Sequence, residues 1–150
     1  VCTGNICRAP TAEGVFRRLV RDAGLEGSIR VGSAGTHDYH VGDPPDERAR
    51  SHALRRGYDL SALRARRIAE RDFAEFDLIL AMDRGHLRFL QRLSPPQNRD
   101  KVRLLMEFAP GLEGDEVPDP YYGDSGHFEQ VLDMVEAAAN GLLSHLRVSI

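Results

Sequence analysis

A cysteine and an arginine stand six positions apart at the beginning of the chain, at Cys2 and Arg8. Five intervening residues let the backbone curl so that successive N–H groups point inward, which makes an anion nest at the start of the following helix. The same positive field favours a cysteine thiolate, so Cys2 is the candidate nucleophile. Arg8 can hold two phosphoryl oxygens with its planar guanidinium. The segment therefore predicts phosphate chemistry at a cysteine.

The residues between Cys2 and Arg8 suit such a loop. Gly4 and Asn5 are residue types that tolerate a left-handed backbone, which a tight curl requires. The full set predicted to surround the phosphate is Thr3, Gly4, Asn5, Ile6 and Cys7. The alternative is that Cys2 is a buried structural cysteine beside a helix end, and the spacing taken alone does not exclude it.

The elements that must position this loop alternate between helix and strand. Apolar residues at helical spacing run from Pro10, which suits a first turn, to Gly24, which suits a helix end. Further helices are predicted over 45–57, 84–93 and 128–146, and strands over 28–33, 78–82 and 102–105. This order predicts a doubly wound, three-layer α/β sandwich with a short, mainly parallel, four-stranded sheet. Because only Val1 precedes Cys2, we expect the first strand to be truncated or to lie before Val1.

Length and composition predict a single domain over residues 1–150, since no repeat or linker divides the chain. A formal net charge of −3 and 41% apolar residues argue against a nucleic-acid binder and against disorder. No apolar run reaches the roughly 18–20 residues that span a bilayer, so no membrane association and a cytoplasmic location are expected. His37 and His40 have no accompanying ligand pattern, so we predict neither a metal nor a cofactor.

The loop and several later segments together have a family likeness. Val-Cys-Thr-Gly-Asn-Ile-Cys-Arg-Ala-Pro resembles the signature loop of the low-molecular-weight protein tyrosine phosphatases. The likeness continues through 33–36, 42–46, 77–83 and 119–123, the last of which reads Asp-Pro-Tyr-Tyr-Gly. It implies metal-independent hydrolysis of protein phosphotyrosine through a cysteinyl-phosphate on Cys2, with inorganic phosphate as product. A phosphotyrosine-containing protein, such as a bacterial tyrosine kinase, is the implied partner.

The resemblance also implies a role for Asp119. A tyrosine leaving group has a pKa of about 10, so its departure as phenolate is slow near neutral pH unless an acid protonates it. Asp119 is the candidate acid, and in the second step the base that deprotonates water. Taken alone, an aspartate between two prolines is a common turn residue. The aromatic residues of the family's substrate slot match Tyr39, Tyr121 and Tyr122.

Two positions depart from the family pattern. The family usually has Ser or Thr after the signature arginine, where it donates a hydrogen bond to the thiolate, and this chain has Ala9. Many members have His before an Arg-x-Arg element, and this chain has Leu63. A hydrogen bond to a charged group contributes about 1.5–3 kcal/mol, so its loss predicts a roughly ten- to hundredfold slower reaction. What holds the loop instead stays open at this stage.

Other functions are weighed against phosphotyrosine hydrolysis. A related branch reduces arsenate with further cysteines, which this chain lacks beyond Cys7. Another branch removes phosphate from arginine and typically has Thr where this chain has Ile6. A phosphate- or phosphotyrosine-binding pseudophosphatase is favoured by the two departures and opposed by the retained nucleophile and acid. The resemblance also implies that Cys7 pairs with Cys2 on oxidation, the alternative being a small buried loop residue.

Overall fold

The computed structural model of the protein describes residues 1–149. Within them the α-helices are α1 (Arg8–Asp22), α2 (Glu47–Arg55), α3 (Asp72–Glu75), α4 (Arg84–Leu93) and α5 (Ser125–Arg147). The strands are β1 (Ile79–Ala81) and β2 (Val102–Leu104), and 3₁₀ helices span Pro96–Lys101 and Leu105–Phe108. No helix within these residues is long and apolar enough to cross a membrane.

The two strands are parallel, with Ile79 opposite Val102 and Ala81 opposite Leu104. The beginning of the chain runs alongside β1, because the Met82 N–H donates to the Val1 carbonyl at 3.2 Å. On the other side of this segment, single parallel bridges join Cys2 to Gly35 and Gly35 to Arg67. Residues distant in sequence are thereby brought beside Cys2.

Helices pack against both faces of β1. Ile79 and Ala81 belong to a buried cluster that includes Leu90 of α4. Leu80 and Met82 instead contact the main core, which is built largely from apolar residues of α1 and α5. Because neighbouring strand residues point to opposite faces, this alternation places core on either side of the strand. The predicted α/β class with a parallel sheet is confirmed.

The predicted strand over 28–33 is wrong. These residues form no ladder, and only single bridges at Gly35 link the neighbouring segment to the parallel array. An alternating pattern reports which side chains face the core, whereas a strand also needs a hydrogen-bonded neighbour, which the pattern does not show. Two strands are present within residues 1–149, so the four-stranded, three-layer form of the prediction is not confirmed.

Two predicted helix starts also need correction. α1 begins at Arg8 rather than at Pro10, which becomes the third helical residue and still lies in the first turn, where no N–H is needed. In α2, Asp46 precedes the helix as its N-cap, and its side chain accepts hydrogen bonds from the N–H groups of Arg48 and Ala49. The other predicted helices, and the strands over 78–82 and 102–105, are confirmed with shifts at their ends.

Candidate active site

The segment between Cys2 and α1 is a tightly bent loop with unpaired donors. Asn5 has a φ of 59°, in the left-handed region, and α1 starts after Cys7 with no side-chain cap and no acidic residue in its first turn. Within the described chain, the backbone N–H groups of residues 3–8 donate to no protein acceptor. A row of unmet donors at the positive end of a helix is a site for an anion.

A buried polar network holds the middle of this loop. Asn5 is only 2% exposed, and its Nδ2 donates to Ser33 Oγ at 2.9 Å. Its Oδ1 accepts a hydrogen bond from the Arg66 backbone N–H at 3.0 Å. Ser33 in turn donates to Glu13 Oε1 at 2.6 Å. Both ends of the Asn5 amide are therefore tied, which stabilises its left-handed backbone.

The positions that depart from the family pattern lie in the apolar core. Ala9 is buried in the main hydrophobic cluster, and Leu63 is partly buried against the same cluster. Neither side chain carries a hydrogen-bonding group. The loop is instead held in part by the hydrogen bonds of Asn5, where the family pattern would have polar side chains at positions 9 and 63.

Gly4 and Gly35 lie where neighbouring atoms leave too little room for a Cβ. Gly4 has no positive φ, contrary to its predicted role, and a Cβ there would lie 2.9 Å from Cδ2 of His40. A Cβ on Gly35 would lie 2.7 Å from the Thr3 carbonyl oxygen, a contact with backbone that cannot shift cheaply. The loop is consequently pressed between two neighbouring segments, which explains glycine at both positions.

The Arg8 side chain is buried and fixed by two acceptors. Its Nη1 donates to Asp83 Oδ2 at 3.0 Å and to the Val117 carbonyl at 3.1 Å. Burial tends to raise the pKa of Asp83, but the His86 N–H and the positive charge of Arg8 hold this pKa below its ordinary value. A charged carboxylate thus orients a guanidinium whose other nitrogen, Nη2, remains directed toward Asp119.

Asp119 lies beside Arg8, with 3.7 Å between its Oδ2 and Arg8 Nη2. Its side chain is 49% exposed, and its Oδ1 accepts a hydrogen bond from the Tyr121 N–H at 3.1 Å. Pro118 and Pro120 flank it and fix their own φ angles. The structure therefore brings together the predicted arginine and the predicted acid, which are far apart in sequence.

The predicted aromatic residues occupy two exposed places. Tyr39 is 69% exposed and stacks on His37, whose N–H donates to the Thr3 carbonyl at 3.1 Å. Tyr121 and Tyr122 contact each other edge to face, with ring centroids 4.9 Å apart. The segment of Tyr39 is thus attached to the loop of residues 2–8, named the phosphate loop for its predicted role. The tyrosine pair closely follows Asp119.

Both cysteines are buried, and they are not joined in a disulfide. Burial is the main cause that raises the pKa of Cys7, and the negative charge of Asp46 adds to it. Cys7 is therefore held as a thiol, unlike a reactive cysteine. Its pairing with Cys2 on oxidation stays a prediction.

No site role was predicted for four residues that hold the loop and Arg8 in place: Ser33, Asp83, His86 and Val117. Asp83 precedes α4 and its Oδ1 accepts from the His86 N–H at 2.9 Å, so the local pattern indicates only a helix cap. The Val117 contact uses a backbone carbonyl, for which no side-chain signal exists. Each contributes through contacts with residues far away along the chain.

A cavity of about 680 Å³ borders the hydrogen-bond network of Asn5 at Glu13, Ser33 and Arg66. Its mostly apolar lining includes Phe16, Val31, Phe76 and Leu80 but neither Cys2, Arg8 nor Asp119. Arg8 and Asp119 instead meet outside this cavity.

The fold and the site together define an α/β protein in which a buried cysteine is directly followed by a row of unpaired backbone N–H groups at a helix start. The model of one family, described as "Low molecular weight phosphotyrosine protein phosphatase", matches residues 1–149. The chain belongs to this family. The prediction of a protein-tyrosine phosphatase, a hydrolase, is thereby confirmed.

Individual relatives agree with this assignment. A low molecular weight protein-tyrosine-phosphatase of Streptomyces coelicolor is 47% identical over 154 residues, which cover all of this chain and 93% of that protein. A crystal structure of a protein tyrosine phosphatase from Entamoeba histolytica has a TM-score of 0.95 at 36% identity, covering 99% of this chain and 94% of that one. A Drosophila arginine phosphatase has a TM-score of 0.89 at 29% identity, covering 97% and 94%.

Proposed function

We propose that the protein hydrolyses phosphotyrosine in proteins through a cysteinyl-phosphate on Cys2, with residues 1–150 acting as one catalytic domain. The observation that carries this proposal is the set of unpaired N–H groups of residues 3–8, which directly follow Cys2. Unpaired backbone donors are costly unless a partner arrives, and a phosphate offers several acceptor oxygens at once. The buried Arg8 adds a guanidinium of matching charge.

In the first step, the Cys2 thiolate attacks phosphorus and the bond from phosphorus to the tyrosine oxygen breaks. Asp119 donates its proton to that oxygen, so tyrosine leaves as a neutral phenol. The loop N–H groups and Arg8 stabilise the charge on the equatorial oxygens in the transition state. The 3.7 Å separation of Asp119 Oδ2 from Arg8 Nη2 supports this role, since Arg8 is the residue proposed to hold the phosphoryl group.

In the second step, a water molecule attacks phosphorus and the sulfur–phosphorus bond breaks. Asp119, now a carboxylate, takes a proton from this water, and Cys2 is released as a thiolate. Inorganic phosphate is the product. The same carboxyl group therefore acts as acid and then as base.

Tyr39, Tyr121 and Tyr122 are the residues that we expect to contact the substrate ring, together with Thr3 and Ile6 of the loop. Each of the three tyrosines keeps exposed ring surface that can contact an aromatic side chain of another protein. The expected binding partners of the protein are phosphotyrosine-containing proteins, and a tyrosine kinase is one candidate.

Phosphoarginine hydrolysis is the second candidate, because the fold also matches the Drosophila arginine phosphatase. An apolar residue at Ile6 suits an aromatic ring better than a guanidinium. A binding role without catalysis is the third, and the contact between Arg8 and Asp119 disfavours it because binding alone needs no acid.

The test offers the purified chain p-nitrophenyl phosphate, a phosphotyrosine peptide and a phosphoarginine peptide. We expect turnover of the first two and loss of activity in Cys2→Ser, with a phosphorylated enzyme trapped by rapid acid quench only when Cys2 is present. Preference for phosphoarginine would replace the substrate assignment. No turnover of any substrate by the folded chain would leave the binding role as the better explanation.

A further inference from the structure

A buried histidine contacts Thr3, the first residue of the phosphate loop after Cys2. His86 lies in the first turn of α4 and is 5% exposed. Its Nε2 is 2.8 Å from Oγ1 of Thr3, the residue that follows Cys2. Holding a polar ring in this interior is favourable only when its nitrogens have partners, so the contact with Thr3 needs an explanation.

The surroundings of the ring determine where its proton lies. His86 Nδ1 is 3.1 Å from Asp83 Oδ1, close enough for strong electrostatic interaction although not aligned as a hydrogen bond. A lone pair on Nδ1 would be repelled by this carboxylate, whereas an Nδ1–H is attracted to it. Nε2 is then unprotonated and accepts the hydrogen bond from the Thr3 hydroxyl.

The ring is neutral in this arrangement. Burial lowers the pKa of His86 to about 4, although the charge of Asp83 acts in the opposite direction. Near pH 7 the ring therefore carries one proton, and the carboxylate of Asp83 favours its position on Nδ1.

His86 and Asp83 together connect the two ends of the loop to the start of α4. Asp83 accepts from Arg8, which ends the loop, while His86 accepts from Thr3, which begins it. Asn5 and its partners hold the middle. The loop thus has polar attachments along its whole length even though Ala9 and Leu63 provide none.

We propose that His86 is a positioning residue for phosphate binding and transfer, which orients the loop N–H groups beside Cys2 through the Thr3 hydroxyl. The inference rests on the proposed function of the same loop. His86 contacts no reacting atom in this scheme, because Thr3 lies between it and the phosphate site. Its effect is on the direction of donors that must meet the phosphoryl oxygens.

The experiment compares Thr3→Val, His86→Leu and the double variant in the full chain. A hydrogen bond between neutral groups contributes about 0.5–1.5 kcal/mol, so each single change is expected to lower kcat/KM for p-nitrophenyl phosphate roughly three- to tenfold. The inhibition constant of inorganic phosphate should rise by a similar factor. Because both changes remove one contact, the double variant should lose little more than the worse single variant.

Two controls separate positioning from a general effect on folding. His86→Gln keeps a side-chain acceptor near the position of Nε2 and should retain activity within about threefold of the parent. His52→Gln alters another histidine, 7% exposed, that lies in α2 and stacks on Phe128, and it should leave the phosphate inhibition constant unchanged. Nitrogen NMR of labelled histidine should show His86 protonated on Nδ1.

Parent-like constants in folded His86→Leu, or additive losses in the double variant, overturn the proposal. If His86→Leu fails to fold, Thr3→Val and His86→Gln decide by the same constants. If the parent turns over no phosphate ester, the proposed function fails separately. Calorimetric binding of inorganic phosphate to the same variants then tests positioning, with unchanged affinity in Thr3→Val as the contrary result.

Discussion

The phosphate loop and the segment around Asp119 are held in opposite ways. Cys2, Asn5 and Arg8 are each less than 5% exposed, and buried hydrogen bonds fix Asn5 and Arg8. Asp119 is about half exposed, and within residues 1–149 its carboxylate accepts one hydrogen bond, from the N–H of Tyr121. The loop is therefore preorganised, whereas Asp119 is placed mainly by its flanking prolines and by Arg8.

Under the proposed function, this contrast means that the two regions serve different parts of the reaction. A preorganised loop lowers the free energy of every phosphoryl transfer, because its donors need no rearrangement in the transition state. The acid matters according to the leaving group, since only a poor leaving group needs a proton. Changes in the loop should thus affect all substrates, and changes at Asp119 should affect them selectively.

The largest expected effect is at the arginine of the loop. Arg8→Ala removes a buried charge that binds the phosphoryl oxygens, and we expect kcat/KM to fall by about 10³-fold or more for every phosphate ester. It also leaves Asp83 without its partner. Steady-state kinetics measure the loss, with Arg92→Ala, an exposed residue of α4, as the control. A loss confined to substrates with poor leaving groups would contradict the division of roles.

The second largest effect is expected at Asp119, and it should depend on the leaving group of the substrate. Asp119→Asn keeps the size of the side chain but removes its acid, and we expect kcat for a phosphotyrosine peptide to fall about 10²–10⁴-fold. For p-nitrophenyl phosphate, whose leaving group is a weaker base, the first step should suffer much less. Asp115→Asn, in the same exposed segment, should change neither rate. Equal losses in kcat/KM, which reports the first step, on both substrates would contradict the role of Asp119 as the acid for the leaving group.

A third change tests how much the buried network stabilises the loop. Asn5→Ala removes two hydrogen bonds and places alanine in a left-handed backbone, so we expect a loss of about 2–4 kcal/mol of unfolding free energy. Asn5→Gly removes the same bonds without the conformational cost and should be about 1 kcal/mol more stable than Asn5→Ala. Urea unfolding measures both. Equal stability of the two variants would assign the whole effect to the hydrogen bonds.

The buried histidine makes stability depend on pH in a defined direction. The pKa of His86 is about 4 in the folded protein against an ordinary 6.5, so the unfolded chain binds the extra proton first. This contribution is fully present above pH 6.5 and is lost as pH falls toward 4, by at most about 3 kcal/mol. His86→Gln should lose less stability than the parent between pH 6.5 and 4 in urea unfolding. Parallel curves for the two proteins would speak against a depressed pKa.

The smallest expected effect is a gain. Ala9→Ser offers a hydroxyl that can donate to the departing Cys2 thiolate, and a hydrogen bond of about 1.5 kcal/mol would speed the second step roughly tenfold. Rapid-quench measurement of the phosphoenzyme decay reports that step directly. A slower decay together with lower stability would mean that the core around Ala9 does not accept an oxygen.

The local features of the chain were predictable and the distant contacts were not. The left-handed Asn5 and the helix after Arg8 follow from residue types and spacing over a few positions. The strand predicted over 28–33 failed because pairing depends on which segment lies beside it. The contacts from Arg8 to Asp83 and to the Val117 carbonyl also needed the folded chain, since nothing near Arg8 in sequence indicates them.

The long-range contacts of Arg8 determine when the site can form during synthesis of the chain. Arg8 is translated before both of its acceptors, because Asp83 and Val117 lie 75 and 109 positions later in the chain. A nascent chain on the ribosome therefore holds Cys2 without an ordered Arg8 guanidinium until Val117 has emerged. Under the proposed function, activity then begins only when these long-range contacts form.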